Sequence, residues 1–137
     1  MKKAVIFDLE GVLVNLREGG LEIIEENFEF AKNLRENYKL GILSNLSAEY
    51  VDDLRREGFY DVFSEIHLSG ETGLSKPGRE AYLLILERMS VSAQEAIFID
   101  DSPENVRAAR EVGMETILFT EYGELVREFE EKENPLV

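Results

Sequence analysis

Two acids, Asp8 and Glu10, stand two residues apart where the apolar run Ala4-Val5-Ile6-Phe7 gives out, and Gly11 follows them. A hydroxyl and an amide, Ser44-Asn45, close a second run, GIL. Lys76-Pro77 stands by itself, and Asp100-Asp101-Ser102-Pro103-Glu104-Asn105 closes a further run, AIFI. Brought to one place, these carboxylates would repel one another unless a divalent cation or protons intervened. Oxygen-only ligands suit Mg²⁺, which keeps several waters and takes a substrate phosphate as a further ligand. A lysine beside such a centre adds a second positive charge for an anionic group. The chemistry on offer is metal-assisted handling of a phosphate.

The elements that must position these residues are legible as apolar patterns. Residues 4–7, 40–43, 66–68, 96–99 and 116–119 form near-continuous apolar runs, as expected of parallel strands buried on both faces. Between the first two runs, Leu21, Ile24, Phe28, Ala31, Leu34 and Tyr38 recur at three- and four-residue steps and predict one long amphipathic helix. Ser47 is placed to cap a helix running to Glu57, with Gly58 as its left-handed stop. Pro77 is placed to open the next helix, through Tyr82, Ile85 and Met89. Ser102 caps another, with Pro103 at its first position and Gly113 at its end. A charged helix from Glu124 to Lys132 turns Leu125 and Phe129 inward.

Strand alternating with helix predicts a doubly wound α/β domain, a parallel sheet between two helical layers. Ligands of such sheets bind beyond the carboxyl ends of the strands, where strand order reverses. Asp8, Ser44 and Asp100 all fall there. Taken singly, each group has an ordinary reading. Asp100 to Pro103 is a turn and helix cap, Ser44-Asn45 a turn pair, Lys76 a surface lysine, and His67, the only histidine, a structural residue. Their ordered recurrence on successive strand ends sets the group apart.

The bulk properties narrow the setting. At 137 residues and 44% apolar composition, with no internal repeat or linker-like stretch, the chain reads as a single domain over 1–137. No apolar stretch is long enough for a spanning helix. The N-terminal MKKAVIFDLEGVLV superficially resembles a secretory leader, but Asp8 and Glu10 interrupt it and no small-residue cleavage site follows. The absence of cysteine excludes disulfides and thiolate metal sites, and a cytoplasmic location is expected. A net charge of −14 argues against nucleic acid and anionic membranes as partners. It also means that an anionic substrate needs a local cation. Abundant Glu without Cys leans towards a thermophilic source.

The stretch Asp8-Leu9-Glu10-Gly11-Val12-Leu13 matches the pattern D-x-D-G-[VT]-[LV] except at Glu10. With GILSN, Lys76-Pro77 and FIDDSPEN after it, the set resembles, in order, the four motifs of the haloacid dehalogenase (HAD) superfamily, chiefly phosphohydrolases. The resemblance covers essentially the whole chain. It implies a HAD-like sheet of strand order 3-2-1-4-5 and a Mg²⁺-dependent phosphoric monoester hydrolase. Asp8 would attack phosphorus and carry an aspartyl-phosphate, dividing one displacement into two. Ser44, Asn45 and Lys76 would hold the phosphoryl oxygens. Asp8, the Glu10 carbonyl, and Asp100 or Asp101 would hold Mg²⁺, with Asn105 in support. Glu10 would act as general acid and base.

Two departures from the family pattern shape the expectation. The Glu10 carboxylate lies one C–C bond, about 1.5 Å, further from the backbone than an aspartate's. Misplacing a catalytic group by about 1 Å costs on the order of 100-fold, so the substitution bears on turnover more than on metal or phosphate binding. Roughly 30 residues separate Glu10 from Ser44, too few for the helical cap that relatives of this motif style carry. An open, capless site is expected, on a monomer or homodimer, with a phosphorylated small molecule or a phosphoprotein as substrate. The second reading is a catalytically weak relative that binds phosphate, metal or a protein partner. A carbon–halogen hydrolase does not call for the acidic pair. A two-component receiver would carry its phosphorylated aspartate after the third strand, where Leu68-Ser69-Gly70 stands.

Overall fold

The computed structural model describes residues 1–46 and 58–133. Strand β1 (Ala4–Phe7) is wholly buried and central. It is followed by a hairpin of β2 (Val14–Arg17) and β3 (Gly20–Ile23), helix α1 (Glu25–Leu34) and strand β4 (Lys39–Ser44). A 3₁₀ turn, Phe59–Val62, leads to β5 (Glu65–Leu68), a single helical turn at Ser69–Thr72, and helix α2 (Arg79–Met89). The chain closes with β6 (Ala96–Asp100), α3 (Pro103–Val112), β7 (Glu115–Leu118) and α4 (Tyr122–Glu133). The main sheet is parallel and five-stranded, in the order β5-β4-β1-β6-β7, which is the expected 3-2-1-4-5.

Successive residues of each strand serve opposite layers, the period of two that a pleated strand imposes. Val5, Phe7, Ile42, Ile97 and Ile99 face Ala31 of α1 and Leu125 and Phe129 of α4. Ala4, Ile6, Leu43 and Phe98 face Tyr82, Ile85 and Met89 of α2 and Ala109 of α3. This two-sided burial is why the strands read as continuous apolar runs. Leu125 and Phe129 point inward as expected, and Phe129 takes edge contacts from Phe30 and Tyr38. Ser102 Oγ accepts the Asn105 N–H, Pro103 opens α3, and Gly113 ends it in a left-handed conformation, all as predicted.

Three local expectations need correction or fall elsewhere. The long helix predicted from Leu21 to Tyr38 is shorter: Leu21 belongs to β3 and Ile24 is the N-cap of α1. The reason is turn chemistry. Gly19 and Gly20 sit at φ +94° and +137°, a region side chains disfavour, and fold residues 14–23 into an antiparallel pair with Val14 opposite Ile23 and Leu16 opposite Leu21. Helix α2 begins at Arg79 rather than Pro77, with Gly78 as its N-cap. The helix predicted from Ser47 to Glu57 lies outside the described residues; Gly58 after it is left-handed, φ +68°. No helix among the described residues is long and apolar enough to cross a membrane.

Candidate active site

Register brings the strand ends together. Phe7 pairs with Ile42 on one side and Ile99 on the other, so Asp8 stands level with Asp100, and Ser44 lies one residue beyond Leu43. The Asp8 N–H donates to the Ile99 carbonyl at 2.8 Å, extending the ladder to the last residue before the loop. All eight residues singled out from the sequence (Asp8, Glu10, Ser44, Asn45, Lys76, Asp100, Asp101 and Asn105) line one cleft of about 540 Å³.

Lys76 is the hub. Its Nζ donates to Asp8 Oδ1 at 2.7 Å and to Asp100 Oδ2 at 2.8 Å, and it lies 5.5 Å from the centre of the Phe98 ring. All three residues are buried. Asp100 is held further by the Ser102 N–H, 3.0 Å from Oδ1, and by Asn105 Nδ2, 3.1 Å from Oδ2. The Tyr82 hydroxyl in turn donates to the Asn105 carbonyl at 2.9 Å. Ser44 is buried at the end of β4, its Oγ accepting the Leu46 N–H at 3.1 Å. Asn45 faces the Lys76 backbone: Nδ2 donates to its carbonyl and Oδ1 accepts its N–H, each at 2.9 Å.

One lysine does not balance the acids around it. Asp8, Asp100 and Asp101 each offer an oxygen within 4.8 Å of the others. Burial pushes the Asp8 carboxyl up to about 7, outweighing the opposing pull of Lys76, and the charge on Asp100 adds to the rise. Asp101 is raised too, by burial first and then by its contact with Asp100. A divalent cation would remove this excess of negative charge, and a set of carboxylate oxygens is what Mg²⁺ takes. The residues fit the ion.

Gly11 makes the cluster possible. It sits at φ +87°, and a Cβ there would run into the Asp101 carboxylate. Gly11→Ala is therefore expected to cost about 1–2 kcal/mol from the left-handed backbone alone. It is also expected to shrink the rise in melting temperature that Mg²⁺ produces, because Asp101 must move away. Melting curves with and without the ion read both effects.

Glu10 stands apart. Its side chain is exposed at the rim, and the close-set acids among the described residues do not include it. Its turn is tied at two points: the Gly11 N–H donates to the Val14 carbonyl at 2.7 Å, and the buried Asn27 on α1 donates to the Val12 carbonyl at 2.6 Å. Sequence reasoning missed Asn27, although a polar residue on the inward stripe of α1, one position from Phe28, is a usable signal. It also missed Leu16, which lines the cleft from the hairpin. The paired glycines between alternating apolar residues were the sign of that hairpin.

Residues 21–119 match the family described as haloacid dehalogenase-like hydrolase, and the chain belongs to that family. It is 39% identical over 74 residues to the sesquiterpene phosphatase astK of Aspergillus oryzae, a match covering 53% of this chain and 38% of that protein. It is 32% identical over 94 residues to the phosphorylated carbohydrates phosphatase of Thermotoga maritima, covering 69% of this chain and 43% of that one. The chain thus spans less than half the length of either relative. A HAD-family enzyme of Bacteroides thetaiotaomicron, solved with magnesium and inorganic phosphate, has a TM-score of 0.80 at 20% identity, covering 91% of this chain and 99% of that chain. That likeness is one of fold.

Proposed function

We propose that this chain is a Mg²⁺-dependent phosphomonoester hydrolase that acts on phosphorylated small molecules through Asp8. The observation that carries the reading is the buried Lys76 ammonium between Asp8 and Asp100, with Asp101 close by. The two phosphatase relatives supply the substrate class. In this reading residues 1–137 form one HAD-like core without an inserted cap, and among the described residues the hairpin borders the cleft through Leu16.

Asp8 is the nucleophile: as its carboxylate oxygen bonds to phosphorus, the bond from phosphorus to the leaving alcohol oxygen breaks. Glu10 gives that oxygen a proton. Water then attacks the aspartyl-phosphate, Glu10 takes a proton from it, and Asp8 is released as a carboxylate with inorganic phosphate as product. Ser44 and Lys76 hold the phosphoryl oxygens, and Lys76 keeps Asp8 and Asp100 together. Asp8, Asp100, Asp101 and the Glu10 carbonyl would hold Mg²⁺, which supplies positive charge against the transferring group. Asn105 fixes Asp100.

The exposed placement of Glu10 favours a second reading, a metal- and phosphate-binding module with little turnover. Incubation with Mg²⁺ and p-nitrophenyl phosphate separates the two. The hydrolase reading expects release of nitrophenol that EDTA stops. It also expects Glu10→Asp to raise kcat, by up to about 100-fold if the carboxylate is misplaced by about 1 Å. No turnover in the wild type, with gain only in Glu10→Asp, would establish the binding module instead.

A further inference from the structure

The loop that delivers Lys76 is tied at two points. At its base, the buried His67 on β5 has Nε2 3.0 Å from the Leu74 carbonyl and 2.8 Å from Thr72 Oγ1. The Leu74 N–H donates to the same hydroxyl at 3.2 Å, so this half of the loop is held against the sheet. At its tip stands Asn45. One carboxamide meets both backbone groups of one residue, its Nδ2 giving to the Lys76 carbonyl and its Oδ1 receiving the Lys76 N–H. Such a pair fixes both the position and the rotation of the Lys76 Cα, from which the side chain reaches its two carboxylates.

We propose that Asn45 is a positioning residue, whose paired hydrogen bonds to the Lys76 backbone set where the Lys76 ammonium sits between Asp8 and Asp100. The inference rests on the role given to Lys76 above. It departs from the direct phosphate contact that the family resemblance implies for Asn45, because the side chain's donor and acceptor are both turned to the protein backbone. Asn45 is exposed, so water replaces it when it is removed and the fold survives. What is lost is the aim of the lysine.

The test compares wild type with Asn45→Ala and with Asn45→Asp, which keeps an oxygen for the Lys76 N–H and loses the donor to its carbonyl. Acylation of lysines by an activated ester, read by peptide mass spectrometry, reports on Lys76 without any turnover. Lys76, only 4% exposed, is expected to react several-fold faster in Asn45→Ala and to an intermediate degree in Asn45→Asp. Labelling of the distant Lys3 and Lys132 should not change. With Mg²⁺ and p-nitrophenyl phosphate, kcat is expected to fall on the order of 100-fold in Asn45→Ala while KM moves less. Unchanged Lys76 labelling in the folded variants overturns the proposal, and if KM rises at the same time, Asn45 is a phosphate contact. A wild type without turnover refutes the hydrolase reading, and the labelling still decides what Asn45 does.

Discussion

Asp8→Asn is expected to abolish phosphate-ester hydrolysis, by on the order of 10⁴-fold or more, and at the same time to make the metal-free protein harder to unfold at pH 8. The first effect follows from the nucleophilic role proposed for Asp8, since an amide oxygen does not form the covalent intermediate. The second follows from electrostatics. Burial lifts the Asp8 carboxyl from 3.8 to about 7, so between those values the folded protein holds a proton that the unfolded chain releases. Stability of the metal-free protein therefore falls as pH rises through that window, and the whole penalty is present above about 7. A lift of that size corresponds to a ceiling on the order of 4 kcal/mol, less whatever relaxation and water entry recover. Asparagine keeps the shape and an acceptor for Lys76 and carries no charge. Melting temperatures of both proteins in EDTA, from pH 5 to 8.5, should diverge as pH rises to about 7, with the wild type falling more steeply than the variant. Parallel curves would show that Asp8 is not the strained acid. Residual turnover equal to wild type would remove it as nucleophile.

Lys76→Met is expected to do the opposite to stability. Methionine retains most of the stem that packs near Phe98 but leaves Asp8 and Asp100 buried without their cation. Removing one partner from a buried ionic group costs about 3–5 kcal/mol, because the remaining charge has no compensation. The deficit should shrink as pH falls towards 5, where the Asp8 carboxyl takes up a proton, and shrink again on adding Mg²⁺ at pH 8. Urea unfolding at three pH values, with and without the ion, reads this pattern. A deficit that does not change with pH would mean that the lost energy is packing rather than charge. Turnover should fall by about 10²–10³-fold in the folded variant, the usual cost of losing a group that stabilises transition-state charge.

The two substitutions share one cause: without a divalent cation, the clustered carboxylates of Asp8, Asp100 and Asp101 exceed what the single Lys76 ammonium offsets. This is a common arrangement where function and stability oppose each other. A chain of net charge −14 could have placed several cations here. Among the described residues lining the cleft, Lys76 alone carries a positive charge.

Much of this arrangement was legible in the residues themselves. Asp8, Ser44 and Asp100 end strands that are buried on both faces, and such strands are written as unbroken apolar runs whose ends are easy to find. Topology then places those ends side by side. Ser102-Pro103 and Gly113 likewise announce α3 through local backbone chemistry that needs no tertiary context. The hairpin was hidden because Leu21, Ile24, Phe28, Ala31 and Leu34 satisfy a helical period across a boundary that only the left-handed Gly19 and Gly20 betray. Two periodicities overlapped, and the turn decided between them. The Asn45 clamp was beyond reach for another reason. It joins residues 31 positions apart through the conformation of a loop, which no pattern in either segment specifies. The exposure of Glu10 is of the same kind, since it depends on a turn fastened by Asn27 from a helix further along the chain.

The hairpin has an evolutionary consequence. It forms a two-stranded sheet of its own, hydrogen-bonded apart from the five-stranded one, and its tip at Glu18-Gly19 has open space around Gly19. New residues added at that tip would displace nothing in the core, and doubling a loop's length costs only about 0.6 kcal/mol in closure entropy. Leu16 already reaches the cleft from this arm. The tip is thus a place where selection can lengthen, trim or recharge the entrance to the site while the strand ends carrying the chemistry stay untouched. Substrate preference and catalytic apparatus can drift independently in such a molecule.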